Sequence, residues 1–234
     1  MLAAKGRVIM ISGANRGIGR AIARALWDKG YSLSLGARRP EQLSELHGDR
    51  VLTAAYDALD PEAAAVWVDD TFAHFGRIDG LVSNAGIALA ASLEDGAEAE
   101  FERMWQVNAM GPLRLIRRAL PHLRQTGAGR IVNLVSLSGK RVRGDHTGYA
   151  MSKFAALALT HATRRAGWDQ GVRACAICPS FVATDMTAWA TDIVPRAEMI
   201  QPEDLAELVA TVLALPNNAA IAELLVNCRF EDMV

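Results

Sequence analysis

Apolar positions in this chain gather into short continuous runs separated by longer stretches of helical period. The runs "RVIMISG" (7–13), "SLSLGAR" (32–38), "VLTAAYD" (51–57), "IDGLVSNAG" (78–86), "RIVNLVS" (130–136), "VRACAICP" (172–179) and "AELLVN" (222–227) read as buried strands. Between them, apolar residues recur every three or four places, as on a helix with one buried face. Two helices carry start signals: Asp60 before Pro61 and Glu62, and Gln201 before Pro202, Glu203 and Asp204, each putting proline in a first turn where its missing N–H costs nothing. Gly30 and Gly76 follow periodic stretches as stop signals. Long helices are predicted over 98–118 and 149–166.

Repeated strand-helix alternation predicts an α/β fold: a single doubly wound, Rossmann-like domain over 1–234, its parallel sheet covered by helices on both faces through right-handed crossovers. Ligands of such sheets bind beyond the carboxyl ends of the strands, where strand order reverses. The longest weakly patterned stretch, 183–200, is expected to form a mobile lid there.

Composition narrows the function classes. With 51% hydrophobic residues in 234, the chain can bury a large core. A formal charge of −1 with both signs interspersed offers no field for nucleic acid or a membrane surface, so the expected partner is a small molecule. The first apolar run is only Val8 to Ile11, and none approaches the ~18 residues of a membrane span, which predicts a cytoplasmic protein. Cys175 and Cys178 resemble a redox or metal pair, but residues three apart on a strand face opposite ways and further ligands are lacking, so no metal is expected.

Candidate chemistry begins directly after the first strand. "SGANRGIG" holds Gly13, Gly17 and Gly19 at a strand-to-helix turn, where backbone can approach a pyrophosphate and a helix N-terminus offers free N–H groups. The second strand ends in Ala37 and Arg38 with no acid nearby. A carboxylate there would bind a ribose 2′-hydroxyl, whereas Arg38, with Arg16, suits a 2′-phosphate; the expected cofactor is NADP, with NAD less favoured. Asp57, closing the third strand, is placed to reach an adenine amino group or to make a turn.

Tyr149 stands four places before Lys153, on one helix face. Three tyrosines and four lysines in this length would meet at that spacing by chance about 0.05 times per chain. A cation within ~4–6 Å lowers a phenol's pKa, making Tyr149 a candidate acid/base group. Only four of the 25 basic residues are lysine, so a lysine kept at 153 points to a need for a compact ammonium.

"SGANRGIG", "SNAG" (83–86), Asn108, Ser136 and the Tyr149–Lys153 pair occur in an order that closely resembles the short-chain dehydrogenase/reductase family, over residues 5–227. The resemblance implies that Tyr149 exchanges a proton with the substrate oxygen, Ser136 hydrogen-bonds that oxygen, Lys153 tunes Tyr149 and holds the nicotinamide ribose, and Asn108 positions a relay water. It also implies a cofactor path of Gly13, Asn15, Arg16, Gly17, Ile18, Gly19, Asp57, Ala58, Asn84, Ala85 and Gly86, with Pro179, Val182 and Thr184 beside the nicotinamide. Ser138 is a competing hydroxyl, disfavoured by its spacing from Tyr149. Ser12, Ser83 and Ser180 replace the family's usual Thr, Asn and Gly, the last beside the substrate.

The implied reaction is hydride transfer between nicotinamide and a carbonyl or secondary alcohol: a ketone, an aldehyde or a 3-oxo/3-hydroxy acid. The chain's ending is similar to the 3-hydroxy acid and serine dehydrogenase subgroup, with 3-oxoacyl-thioester reduction as an alternative and a catalytically silent NADP-binding regulator as one of another class. Expected substrate contacts are Ser136, Tyr149, Ser180, Phe181, Met186 and Trp189, with Arg143 and His146, beside Arg141, able to grip an anion. The resemblance further implies a homodimer or homotetramer built on the two long helices.

Overall fold

The apolar runs become seven parallel strands of one sheet in a computed structural model that describes residues 1–230. The strands are β1 (Val8–Ser12), β2 (Ser32–Ala37), β3 (Val51–Ala55), β4 (Gly80–Ser83), β5 (Arg130–Leu134), β6 (Arg173–Pro179) and β7 (Glu223–Val226), ordered β3-β2-β1-β4-β5-β6-β7. Order reverses between β1 and β4, because the chain leaves β1 toward one edge and returns to build toward the other.

Helices α1 (Gly17–Asp28), α2 (Ala63–Phe75), α3 (Glu98–Trp105), α4 (Gly111–Gln125), α5 (Thr147–Gly167) and α6 (Pro202–Ala214) cover both faces. Alternation along β1 divides the core. Ile9 and Ile11 pack with Ile22 and Leu26 of α1 and Leu205 and Val209 of α6, whereas Met10 packs with Trp67 of α2 and Leu115 of α4. Both faces of the sheet are therefore dry, which is why the strands read as unbroken apolar runs.

Three boundaries differ from the pattern. Pro61 lies outside α2: the Asp60 carboxylate accepts the Glu62 N–H at 2.9 Å, a turn that delays the helix to Ala63. Residues 84–86 leave the sheet after Ser83. The helix expected over 98–118 is interrupted by a π turn at Gln106–Met110, which ends where Gly111 and Pro112 begin α4. By contrast, Gln201 and Asp204 cap α6 reciprocally.

Helix ends also account for much of the arginine. Arg50 donates to the Trp27 and Tyr31 carbonyls at 3.3 and 2.9 Å, Arg7 to Leu213 at 2.8 Å, Arg124 to Ala166 at 2.7 Å, and Arg173 to Trp168 at 2.8 Å. Arg130, 1% exposed, reaches the Leu215 carbonyl with two nitrogens at 3.1 and 2.7 Å, and burial pulls its pKa down to about 10. A planar fork spans several helix-terminal carbonyls at once; a lysine presents one compact charge.

Trp67 joins α2 to the sheet. It is fully buried, its indole N–H donates to Ser34 Oγ at 2.8 Å, and a Cβ on Gly36 would come within 2.7 Å of its ring. Trp67→Ala should cost about 3–5 kcal/mol in chemical denaturation with an unchanged denaturant slope. A loss below about 1 kcal/mol would contradict this packing.

Candidate active site

Ser12 sets the spacing between the diverging ends of β1 and β4. Its hydroxyl accepts the N–H groups of Asn84 and Ala85, both at 3.0 Å, while Asn84 Nδ2 donates to the Ser12 and Gly13 carbonyls at 3.0 and 3.1 Å. Gly13 has a φ of +67°, and a Cβ there would stand 3.0 Å from Ala85 Cα. Gly19 serves differently from the expected cofactor contact. Its Cβ would lie 2.2 Å from the Gly13 carbonyl oxygen, and it is buried beneath the turn and outside the cleft lining. The N-terminus of α1 has no acid in its first turn and no side-chain cap, so its N–H groups are free for an anion. A bare glycine turn against an uncapped helix start fits a nucleotide pyrophosphate.

From this turn one continuous cleft runs over the carboxyl ends of the strands. Its glycine-turn end is lined by Gly13, Asn15, Arg16, Gly17, Ile18 and Arg38, by Asp57 and Ala58 after β3, and by Asn84, Ala85 and Gly86 after β4. Arg38 is exposed and free of hydrogen bonds and ion pairs among the described residues. Arg16 faces Asp185 at 3.6 Å. Asn15 bonds Gln42 at 2.8 Å, and one Asp57 oxygen accepts the Leu59 N–H at 3.0 Å.

At the other end the cleft is lined by Ser136, Tyr149, Lys153, Pro179, Ser180, Val182 and Met186, with Thr184 reaching back to Gly17 of the glycine turn. Ser136 neighbours Tyr149 there, and its hydroxyl favours ionisation of the Tyr149 phenol. The Ser136 hydroxyl also accepts the Ser138 N–H at 3.0 Å, and Ser138 stays outside the lining, which separates the two serines. Lys153 is 6% exposed; its Nζ donates to the Leu134 carbonyl at 2.9 Å and lies 5.6 Å from the Tyr149 ring centre.

Titration departs from the simple pairing. Burial pushes the Tyr149 phenol up to about 12, opposed only by the Ser136 hydroxyl, and burial pulls Lys153 down to about 8. The expected lowering of Tyr149 by Lys153 is absent, since desolvation dominates and the ammonium is turned to Leu134.

Asn108 lies in the π turn, 1% exposed and behind the cleft. Its Oδ1 accepts the Ile87 N–H at 2.9 Å, and its Nδ2 donates to the Ile87 carbonyl at 2.8 Å and to Ser152 Oγ at 2.9 Å. The side-chain amide thus clamps the loop after β4 to α5.

Of the remaining expected substrate residues, His146 and Phe181 flank Trp189, with ring centres 5.0 and 6.2 Å away, and all three lie outside the cleft lining. Arg143 is exposed on its loop and also outside. Arg103, Val107, Tyr56 and Thr187 do line the cleft, a role that nothing in their local pattern announces. No metal-binding cluster and no helix long and apolar enough to cross a membrane occur among the described residues.

Residues 7–195 match the family model described as short chain dehydrogenase. Over 230 residues the chain is 45% identical to an agropine synthesis reductase of Rhizobium rhizogenes, covering 97% of this chain and 53% of that protein. The chain thus spans about half the length of that relative. It superposes on an alcohol dehydrogenase from the archaeon Thermococcus sibiricus, complexed with 5-hydroxy-NADP, with a TM-score of 0.84 at 30% identity, covering 94% of this chain and 95% of that one. For a 3-ketoacyl-(acyl-carrier-protein) reductase from Brucella melitensis complexed with NADH, the TM-score is 0.87 at 26% identity, covering 96% and 98%.

The buried ammonium has a pH signature. Below about pH 8, folded and unfolded chains both hold the Lys153 proton and the cost of burying it is full. Between about 8 and 10.5 only the unfolded chain holds it, so stability rises with pH. Relative to Lys153→Met, the wild type should gain up to about 3 kcal/mol across that window in denaturation measurements. A flat or falling difference would contradict the burial.

Proposed function

Because the chain belongs to the short-chain dehydrogenase family, and so is an oxidoreductase working with a pyridine nucleotide, we propose that it is an NADP(H)-dependent enzyme acting on the carbonyl or secondary alcohol of a small substrate. The observation that carries this reading is the meeting of Ser136, Tyr149 and Lys153 at one end of a cleft whose other end is the glycine turn.

The nucleotide, when bound, supplies or accepts the hydride, and the chain's own groups handle the oxygen and its proton. Ser136 donates a hydrogen bond to the substrate oxygen and stabilises the charge that develops there. Tyr149 gives that oxygen its proton during reduction. In the free chain the phenol holds its proton at neutral pH, as a donor must, and the reductase name of the Rhizobium relative supports the same direction. Lys153 holds the nicotinamide ribose from beneath Gly86, where a Cβ would stand 3.6 Å from its Nζ. Asn108, its amide engaged with Ile87 and Ser152, positions the loop that carries Gly86 against α5.

Arg38 at the end of β2, without a neighbouring carboxylate, supports NADP over NAD. The substrate is a ketone, an aldehyde or a 3-oxo/3-hydroxy acid. The likeness to the Brucella reductase keeps a 3-oxoacyl thioester as the second reading, and the intact Ser136, Tyr149 and Lys153 set speaks against a silent regulator. We further propose a cytoplasmic homodimer or homotetramer, with exposed Trp105, Met151 and Phe154 on α3 and α5 as its apolar surface.

Oxidation of NADPH, with NADH in parallel, measured against ketones, aldehydes, 3-oxo acids and 3-oxoacyl thioesters tests the proposal. Turnover with NADPH is expected. Tyr149→Phe should lower kcat about 10²–10⁴-fold while nucleotide binding stays intact, and Arg38→Asp should weaken NADPH far more than NADH. Retained turnover in Tyr149→Phe, or equal use of both nucleotides by the wild type, would overturn the corresponding assignment.

A further inference from the structure

The start of the lid leans on the glycine turn. Gly17 has a φ of +52°, and a Cβ on it would stand 3.2 Å from Thr184 Cγ2, so only a bare turn lets the lid's first residues come this near. One residue on, the Asp185 carboxylate meets Arg16 at 3.6 Å, from the opposite wall of the cleft. Asp185 is not on a loose strand. The Ala183 N–H donates to the Ile200 carbonyl at 2.9 Å, Arg196 donates to the Ala183 carbonyl at 3.1 Å, and Thr184 and Thr187 cap the turn that Asp185 begins. The carboxylate is thus held out on fixed backbone, and it is the only anionic partner of Arg16 among the described residues.

Arg16 is also one of the two arginines at the glycine-turn end of the cleft, where Arg38 has no partner among the described residues. We propose that Asp185 is a specificity-determining residue: it competes with the 2′-phosphate of the nucleotide for Arg16, and so tempers the preference for NADPH over NADH. This rests on the proposed NADP reading of the site. When the phosphate draws Arg16 away, the ion pair opens and the lid loses one of its ties to the glycine turn. By linkage, the contact that weakens NADPH binding is the contact that NADPH binding weakens. Both side chains are well exposed, at 64% and 78%, so the competition is modest and screened by salt.

The test is the dissociation constant of NADPH and of NADH at low salt for the wild type, Asp185→Asn, Arg16→Gln and the double variant. Asp185→Asn should bind NADPH about twofold to fivefold tighter, raising the NADPH-to-NADH ratio, and that gain should vanish in the Arg16→Gln background. An unchanged NADPH affinity in Asp185→Asn would overturn the proposal. So would a gain that persists without Arg16, which is the mark of general repulsion between carboxylate and nucleotide. Equal affinity of the wild type for NADPH and NADH would overturn the NADP reading itself; a clear NADPH preference that Asp185→Asn leaves unaltered would overturn only the role of Asp185.

Discussion

The gap between the ends of β1 and β4 is the constraint on which the site depends. Two parallel strands pair up to Ile11 and Val82 and then send their chains to opposite edges of the sheet, opening a crevice between them. The Ser12 hydroxyl and the Asn84 amide bridge the two chains there. In doing so they fix the glycine turn against the loop that carries Gly86. With both walls held, α1 points its free N–H groups at one end of the crevice, and Lys153 comes up beneath Gly86 at the other. The sheet's dry faces supply the stability that such an opening costs.

Burial then shapes the chemistry. A buried ammonium answered by one backbone carbonyl, beside a half-buried phenol, is an arrangement that the fold tolerates and does not favour. Both groups are displaced from their ordinary ranges in opposite directions, the phenol upward and the ammonium downward. Such paired displacement in a cleft is the usual mark of a functional site. In the free chain Tyr149 keeps its proton firmly. A cationic ring brought into the cleft would relieve this, because positive charge favours the phenolate.

Much of this was legible in the sequence. All seven strands, the sheet class and the glycine turn follow from apolar runs and punctuation, because a doubly covered sheet leaves an unbroken apolar trace. Tyr149 and Lys153 share a face as their spacing requires. The destination of Lys153 was hidden, since it is the Leu134 backbone carbonyl and no side chain encodes that. The π turn was obscured for another reason: periodicity carried the helix through 118, although Gly111 and Pro112 mark the break. Gly19 looks like its neighbours in the motif and differs only in what lies above it. Five members of the arginine surplus that helped to single out Lys153 serve helix ends outside the cleft lining. Residues of the 183–200 stretch were the hardest to assign, because aromatic contacts such as those of Trp189 with His146 and Phe181 leave no periodic signal.

The function proposed for this cleft makes Tyr149 a proton-transfer group coupled to a bound nucleotide. Its most direct test is an ultraviolet difference titration of tyrosine ionisation, wild type minus Tyr149→Phe, with and without NADP⁺. The Tyr149 phenol should ionise near 12 in the free protein and at clearly lower pH once NADP⁺ is bound. A phenol whose ionisation is unmoved by saturating NADP⁺ would contradict this role.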